Sequence, residues 1–444
     1  MSNPIVILHG WSDTSRSFKT IANFINTTVA GATVNLYLAD WLSMHDDVTY
    51  TDLAVAMQRA WLAMGLSQAD RSVDLVVHST GSLVARQWLT QFYAASHNPI
   101  QRLVMLAPAN FGSHLAHKGR SFFGRAVKGW GQPGFQTGEK ILKGLELASS
   151  YSANLADADL FASENWYGKG KILATVMVGN TGYSGISAIA NEAGSDGTVR
   201  IAGANLNCRR LSFQLNEQQE LQPASVRFEH SKGQVALAIM DNENHSTVAF
   251  KEGGPVNPLT KSLLQQALTV VDADFNVSGD SFIWQQRIDA AQPAIQQTTP
   301  QRSQVVCHLH DQFANGIRDY FMEFYRIGKP DKRFEQRFYE KVLCDVHAYG
   351  ADPSHRALYF NLSEFARLRS DFSLTQLYLS FNAEPHFKPP RQPVGYQSLS
   401  PTIAGGMMLR EQEFDAVFVP HQTLLLSVQF SRTIDSSVFS LAKA

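Results

Sequence analysis

Ser79 stands where a serine can be made into a nucleophile. The stretch Val73-Asp74-Leu75-Val76-Val77-His78-Ser79-Thr80-Gly81-Ser82-Leu83 runs from an apolar, strand-like segment through a tight turn into a helix. A turn of that kind strains the serine backbone and holds its hydroxyl out at the carboxyl end of a sheet. The following helix aims its first amides at the same point. A hydroxyl attacks poorly until an imidazole takes its proton, and a buried carboxylate must then fix the imidazole tautomer. The chemistry open to such a set is acyl transfer, with backbone donors stabilising the charge that develops on the carbonyl oxygen. Small residues suit the positions two either side of the serine, where strand and helix approach closely. Gly81 complies and Val77 does not.

Other chemistries find less support. His9, His45, His78, His114 and His117 fall early in the chain, and His114-Leu115-Ala116-His117 has a spacing that can hold zinc on a helix. No cysteine or carboxylate accompanies that pair at ligand spacing, so neither a metal nor a cofactor is expected. Cys208, Cys307 and Cys344 form an odd set without metal-ligand spacing and read as free thiols in a reducing compartment. The 444 residues carry a net charge of −1 with no long Lys/Arg run, which argues against a nucleic-acid partner. No apolar run approaches the ~18 residues of a spanning helix. Met1 to Pro4 passes straight into the apolar Ile5–Leu8, without a basic region or long apolar stretch. The expected location is therefore cytoplasmic, or outside the cell by a route that needs no signal peptide.

The elements that must position Ser79 follow from periodicity. Residues 3–110 alternate short apolar runs (Ile5–Leu8, Val34–Leu38, Val73–Val77, Leu103–Ala107) with helical stripes. Phe18, Ile21, Ala22 and Ile25 make one stripe, and Leu53, Met57, Ala60, Trp61 and Met64 another. Such alternation predicts a parallel sheet covered on both faces. From about 110 to 170 the rhythm breaks into an insertion rich in glycine, lysine and aromatic residues. It resumes at Leu173–Val178, with further strands at 211–215, 226–228 and 235–240 and a helix over 257–271. Proline and polar residues cluster in 292–304, so 276–302 reads as a linker. Beyond it the pattern turns to period two, as in Leu424, Leu426, Val428 and Phe430, and 303–444 is expected to be a β-sandwich-like domain.

Over roughly residues 4–275 the chain resembles the α/β-hydrolase superfamily, in its lipase and esterase branch. Four pieces carry the resemblance: His9-Gly10-Trp11 after the first strand, His78-Ser79-Thr80-Gly81, Leu106-Ala107-Pro108-Ala109-Asn110-Phe111-Gly112-Ser113, and Gly194-Ser195-Asp196-Gly197-Thr198-Val199. The resemblance implies a doubly wound, mostly parallel sheet as a catalytic domain over 1–275. It also implies the chain order nucleophile, acid, base, hence Ser79, Asp196 and His245. His245 follows an apolar strand in a polar loop and is preferred to His230. Asp241 and Glu243 are rival acids that read as solvated loop carboxylates. The amides of Thr80 and Trp11 are the expected oxyanion donors. Phe122, Phe123, Trp130 and Phe135, among glycines and basic residues, are the candidate substrate-binding residues of a lid, although an ordinary packed insertion fits the same sequence. The implied reaction is hydrolysis of carboxylic esters of acyl-chain lipids, with peripheral contact to a lipid surface. An acyltransferase on the same three residues and a non-catalytic binding protein stay open.

Overall fold

The structure is a computed structural model and describes residues 2–8, 18–42, 47–116, 138–185, 188, 191–217, 220–326, 331–383 and 407–431. The chain forms two compact units, Met1–Asn207 with His230–Pro300, and Cys208–Glu229 with Gln301–Ala444.

The first unit is built on six strands whose apolar runs leave almost no side chain at the surface. They are β1 (Ile5–Leu8), β2 (Thr33–Leu36), β3 (Val73–His78), β4 (Ile100–Leu106), β5 (Leu173–Gly179) and β8 (Val235–Met240). Their order is β2-β1-β3-β4-β5-β8, and every pairing is parallel. A parallel sheet needs helical crossovers, which bury both faces and account for the continuous apolar runs. The crossovers include α1 (Lys19–Thr28), α2 (Tyr50–Ala63) and α3 (Gly81–Phe92). α2 begins in a capping box, in which Asp52 N–H donates to Thr49 Oγ1 at 3.3 Å and Thr49 N–H to Asp52 Oδ2 at 2.9 Å. Its stripe buries Trp61 against Trp88 of α3, ring centroids 4.7 Å apart. Met64 lies past the last turn of α2 and is exposed, because the helix stops before its stripe would include it.

The described part of the insertion packs on this core. α4 (Glu139–Leu145) buries Ile141, Leu142 and Leu145, and α5 (Ser150–Asp159) buries Leu155 and Ala156. Residues 138–170 are thus an ordinary packed segment. Phe122, Phe123, Trp130 and Phe135 lie outside the described residues.

The expected linker is not one. Residues 276–300 carry a small hairpin of β9 (Val277–Ser278) and β10 (Ser281–Phe282), then α8 (Ile283–Ala291), with α6 (Ile201–Ala204) and α7 (Pro258–Ala267) earlier in the chain and α9 (Ile295–Thr298) after it. Trp284 and Ile288 of α8 are fully buried. Gln285 Oε1 accepts from Leu237 N–H at 2.8 Å, and its Nε2 donates to Leu237 C=O at 3.0 Å. The polar composition there reflects a glutamine that satisfies the open edge of β8, not a solvated tether.

The second unit departs from the contiguous 303–444 domain in taking residues 208–229 as well. Its larger sheet has the order β13-β14-β11-β17-β6-β7, from β6 (Arg209–Leu215), β7 (Arg227–His230), β11 (Arg302–Asp311), β13 (Leu343–Ala348), β14 (His355–Asn361) and β17 (Thr423–Phe430). The β11–β17 and β17–β6 pairings are parallel, and those of β14 with β11 and β13 are antiparallel. A second, antiparallel sheet runs β12 (Phe321–Tyr325), β15 (Gln376–Asn382), β16 (Met407–Arg410). Helices α10 (Lys332–Arg337), α11 (Leu362–Phe372) and α12 (Glu411–Val417) lie among the strands, so the expected β-sandwich-like unit carries helices as well. Side chains of both sheets and of these helices share one core, including Phe213, Phe334, Phe360, Phe365, Phe381 and Phe414. Phe360, Phe365 and Phe381 are therefore core residues. The three cysteines are free, Cys208 and Cys307 buried and Cys344 exposed.

Candidate active site

β3 ends at His78 and α3 begins at Gly81, so Ser79 occupies the turn between them with φ of 55°. A non-glycine residue in the left-handed region is strained and persists only where its surroundings impose it. Here Ser79 N–H donates to Leu106 C=O at 3.0 Å, while Ser79 C=O accepts from Ser82 Oγ at 2.8 Å and Ser82 N–H at 3.2 Å. Val77 is accommodated within β3 and buried. Thr80 takes the N-cap position of α3, where the helix dipole favours negative charge.

Asp196 lies on a loop after β5 and is fully buried. Its Oδ1 accepts the N–H groups of Thr198 at 2.9 Å and Val199 at 2.8 Å. Two amide donors on one oxygen suit a carboxylate and leave Oδ2 for a further partner. Arg200 braces the loop from within, its Nε and Nη2 donating to Glu192 at 2.8 and 2.9 Å. Gly197 has φ of 91°, and a Cβ there would stand 2.7 Å from the ring of Tyr183. Tyr183 is itself held through Thr198 Oγ1 at 2.7 Å, and burial, then Asp196, keeps its hydroxyl protonated far above the ordinary range. Gly197→Ala is accordingly expected to destabilise the chain by about 2 kcal/mol, read from the denaturant midpoint, and to lower activity by displacing Asp196.

His245 follows β8. Its own N–H donates to the Asp196 carbonyl oxygen at 3.0 Å, so base loop and acid loop are joined main chain to main chain. Its Nδ1 lies 3.0 Å from Asp196 Oδ2 and its Nε2 3.0 Å from Ser79 Oγ. A carboxylate only accepts, so Nδ1 carries the proton and Nε2 offers its lone pair to the serine hydroxyl. The loop is held by Asn244 Oδ1, which accepts from Ser246 and Thr247 N–H, both at 2.9 Å.

The rival residues are placed elsewhere. Glu243 is not a solvated loop carboxylate. It is fully buried, and its Oε1 accepts from Asn257 N–H at 2.8 Å and Thr260 Oγ1 at 2.9 Å at the start of α7. Asp241 faces Asn180 and Asn242. His230 is exposed at the end of β7. His114 is buried with Nδ1 3.7 Å from Glu192 Oε2, His117 lies outside the described residues, and no metal-holding group of three or more ligands occurs among the described residues. Trp11, the second expected oxyanion donor, also lies outside them. Sequence reasoning passed over Glu243 as a brace of the base loop, and His78 and Lys251. The visible signal for His78 was an imidazole directly before the nucleophile.

The model of the alpha/beta hydrolase family matches residues 5–194. The solved structure of phospholipase PlaB from Legionella pneumophila is similar at TM-score 0.78 and 19% identity, over 100% of this chain and 97% of that one. Residues 5–194 thus match the alpha/beta hydrolase family, and the chain has the fold of that phospholipase structure. PlaB in complex with thio-NAD gives TM-score 0.77 at 19% identity over the same shares of both chains. No curated protein matches the chain in sequence. The family match ends before Asp196, so Asp196 and His245 are brought to Ser79 by geometry that lies outside it.

Proposed function

We propose that the chain is a serine hydrolase that cleaves carboxylic esters of acyl-chain lipids through an acyl-Ser79 intermediate. The observation that carries this reading is the unbroken line Ser79 Oγ, His245 Nε2, His245 Nδ1, Asp196 Oδ2, with a strained serine at its head. His245 Nε2 takes the hydroxyl proton as Ser79 Oγ bonds to the ester carbonyl carbon. The carbonyl oxygen becomes an oxyanion facing the Thr80 amide, with the Trp11 amide as the proposed second donor. The intermediate collapses, the alcohol leaves with the proton from Nε2, and acyl-Ser79 remains. Water then gives its proton to Nε2, attacks the acyl carbon and releases the carboxylic acid with Ser79 restored. Asp196 stays ionised throughout, offsetting the positive charge that His245 carries in each transition state. The acyl-lipid part of the reading is supported by the full-length likeness to a protein named as a phospholipase.

A fluorophosphonate probe is expected to label the wild-type chain once, at Ser79. An unlabelled wild type, or labelling that persists in Ser79→Ala, would remove the serine mechanism. A chain-length series of nitrophenyl esters, run beside phosphatidylcholine vesicles, tests the substrate class. Release of fatty acid from the vesicles is expected. Hydrolysis of acetate alone would reduce the assignment to a short-ester esterase.

A further inference from the structure

A second imidazole lies behind the base. His78 is 1% exposed, and its Nε2 stands 3.1 Å from the main-chain carbonyl oxygen of His245. The two rings have centroids 4.9 Å apart. His78 Nδ1 is 3.4 Å from Lys251 Nζ, which also lies 4.6 Å above the ring of Phe18. The donor directions follow from the atoms. A carbonyl oxygen only accepts, so Nε2 carries the hydrogen, and an ammonium only donates, so Nδ1 presents a lone pair. His78 is thereby confined to one neutral tautomer. A second proton on it would turn an N–H against the ammonium.

We propose, on the reading that Ser79, His245 and Asp196 hydrolyse esters, that His78 and Lys251 are positioning residues for the base. Lys251 sets the tautomer of His78, and His78 holds the main chain of His245. Both polar groups of that main chain are then gripped, the N–H by the Asp196 carbonyl oxygen and the C=O by His78. An imidazole carried on a peptide fixed at both groups keeps Nε2 in line with Ser79 Oγ. Loosening it damages attack geometry without touching substrate, so the loss falls on kcat. Among the described residues, the charged and titratable neighbours of this arrangement are Asp196, His78 at the turn and Lys251, with Glu252 next to it in sequence, the buried Glu243 two residues before His245, and Tyr183 reached through Thr198. The Lys251 cation opposes a second positive charge on His245, the reverse of what Asp196 does.

The test uses the full-length chain and a soluble nitrophenyl ester, with rates counted per chain that reacts to completion with a fluorophosphonate, so that misfolded material drops out. His78→Phe keeps a ring and loses both hydrogen bonds, and its kcat is expected to fall about 30-fold with KM within about twofold. His78→Gln supplies an amide N–H and an amide oxygen instead, and is expected to return to within about fivefold of wild type. Lys251→Met removes a cation and makes the imidazolium easier to form. The acidic limb of its kcat/KM profile is expected to move up by about half a pH unit. A glutamine variant no better than phenylalanine, or an unmoved acidic limb in Lys251→Met, would overturn the proposal while wild-type labelling leaves ester hydrolysis standing. A wild type that neither labels nor hydrolyses removes both.

Discussion

Ser79→Ala is expected to lower kcat for ester hydrolysis about 10⁶-fold, with His245→Ala close to it and the double variant scarcely worse, since the two groups act as a unit. Asp196→Asn is the more informative change, with an expected loss of about 10⁴-fold. The reason lies in the two amides on Asp196 Oδ1. An asparagine must turn its carbonyl oxygen towards Thr198 and Val199 N–H, which leaves its NH₂ facing His245 Nδ1. That nitrogen must then accept, and the imidazole proton moves to Nε2, where it faces Ser79 Oγ as a donor and cannot take the hydroxyl proton. Steady-state rates with a nitrophenyl ester read all four variants. An Asp196→Asn enzyme within tenfold of wild type would mean that another carboxylate serves His245.

The largest stability effect is expected at Arg86 and Asp159. Arg86 is fully buried and Asp159 is 1% exposed. Arg86 Nε and Nη2 donate to the two carboxylate oxygens at 2.7 and 2.8 Å, and Tyr167 Oη donates to Asp159 Oδ2 at 2.7 Å. Asp159→Leu leaves a guanidinium in the core without its counter-charge, which costs about 3–5 kcal/mol. Replacing both, as Arg86→Met with Asp159→Leu, is expected to recover most of that loss, because an apolar pair of similar volume avoids the desolvation of two ions. Denaturant midpoints of the two singles and the double give the coupling directly. Additive losses would show that the ions do not depend on one another. The pair ties α3, whose N-terminus faces the serine, to α5, so the double variant also asks whether the site needs the ions or only the packing.

Much of the first unit was legible because a parallel sheet covered on both faces writes itself as short, largely apolar runs, unbroken in β1 and interrupted by few polar residues in β3, β4 and β5. The turn at Ser79 was legible from its context, and Asp196 and His245, which meet it in the structure, were named through the chain order that the family resemblance implies. What escaped the reading depends on partners distant in sequence. Nothing local in Arg209–Leu215 tells whether that strand extends the first sheet or pairs with Thr423–Phe430. Gln285 reads as a polar linker residue until the open edge of β8 is beside it. The helix Leu362–Phe372 buries only Phe365 and Leu368, too narrow a stripe to stand out from its neighbouring strands. Glu243 looked solvated because its partners, Asn257 and Thr260, belong to a helix that follows it.

The place of β17 bears on how the chain is made. It pairs with β11 on one side and β6 on the other, from Leu424 against Arg209 to Phe430 against Leu215. The last described strand to leave the ribosome is therefore an inner strand of the sheet, and β6, synthesised long before it, has to wait. During translation at roughly 5–20 residues per second, Leu211, Phe213 and Leu215 are out of the ribosome for many seconds before their permanent cover arrives. Pairing across so long a stretch of chain is intrinsically slow. Asp196 and His245 flank that waiting segment in sequence, so a nascent chain already carries them and Ser79 while its second sheet still lacks an inner strand. Ribosome-held chains stopped before Thr423 are expected to be protease-sensitive in 208–229, and chains stopped well beyond Phe430 protected there.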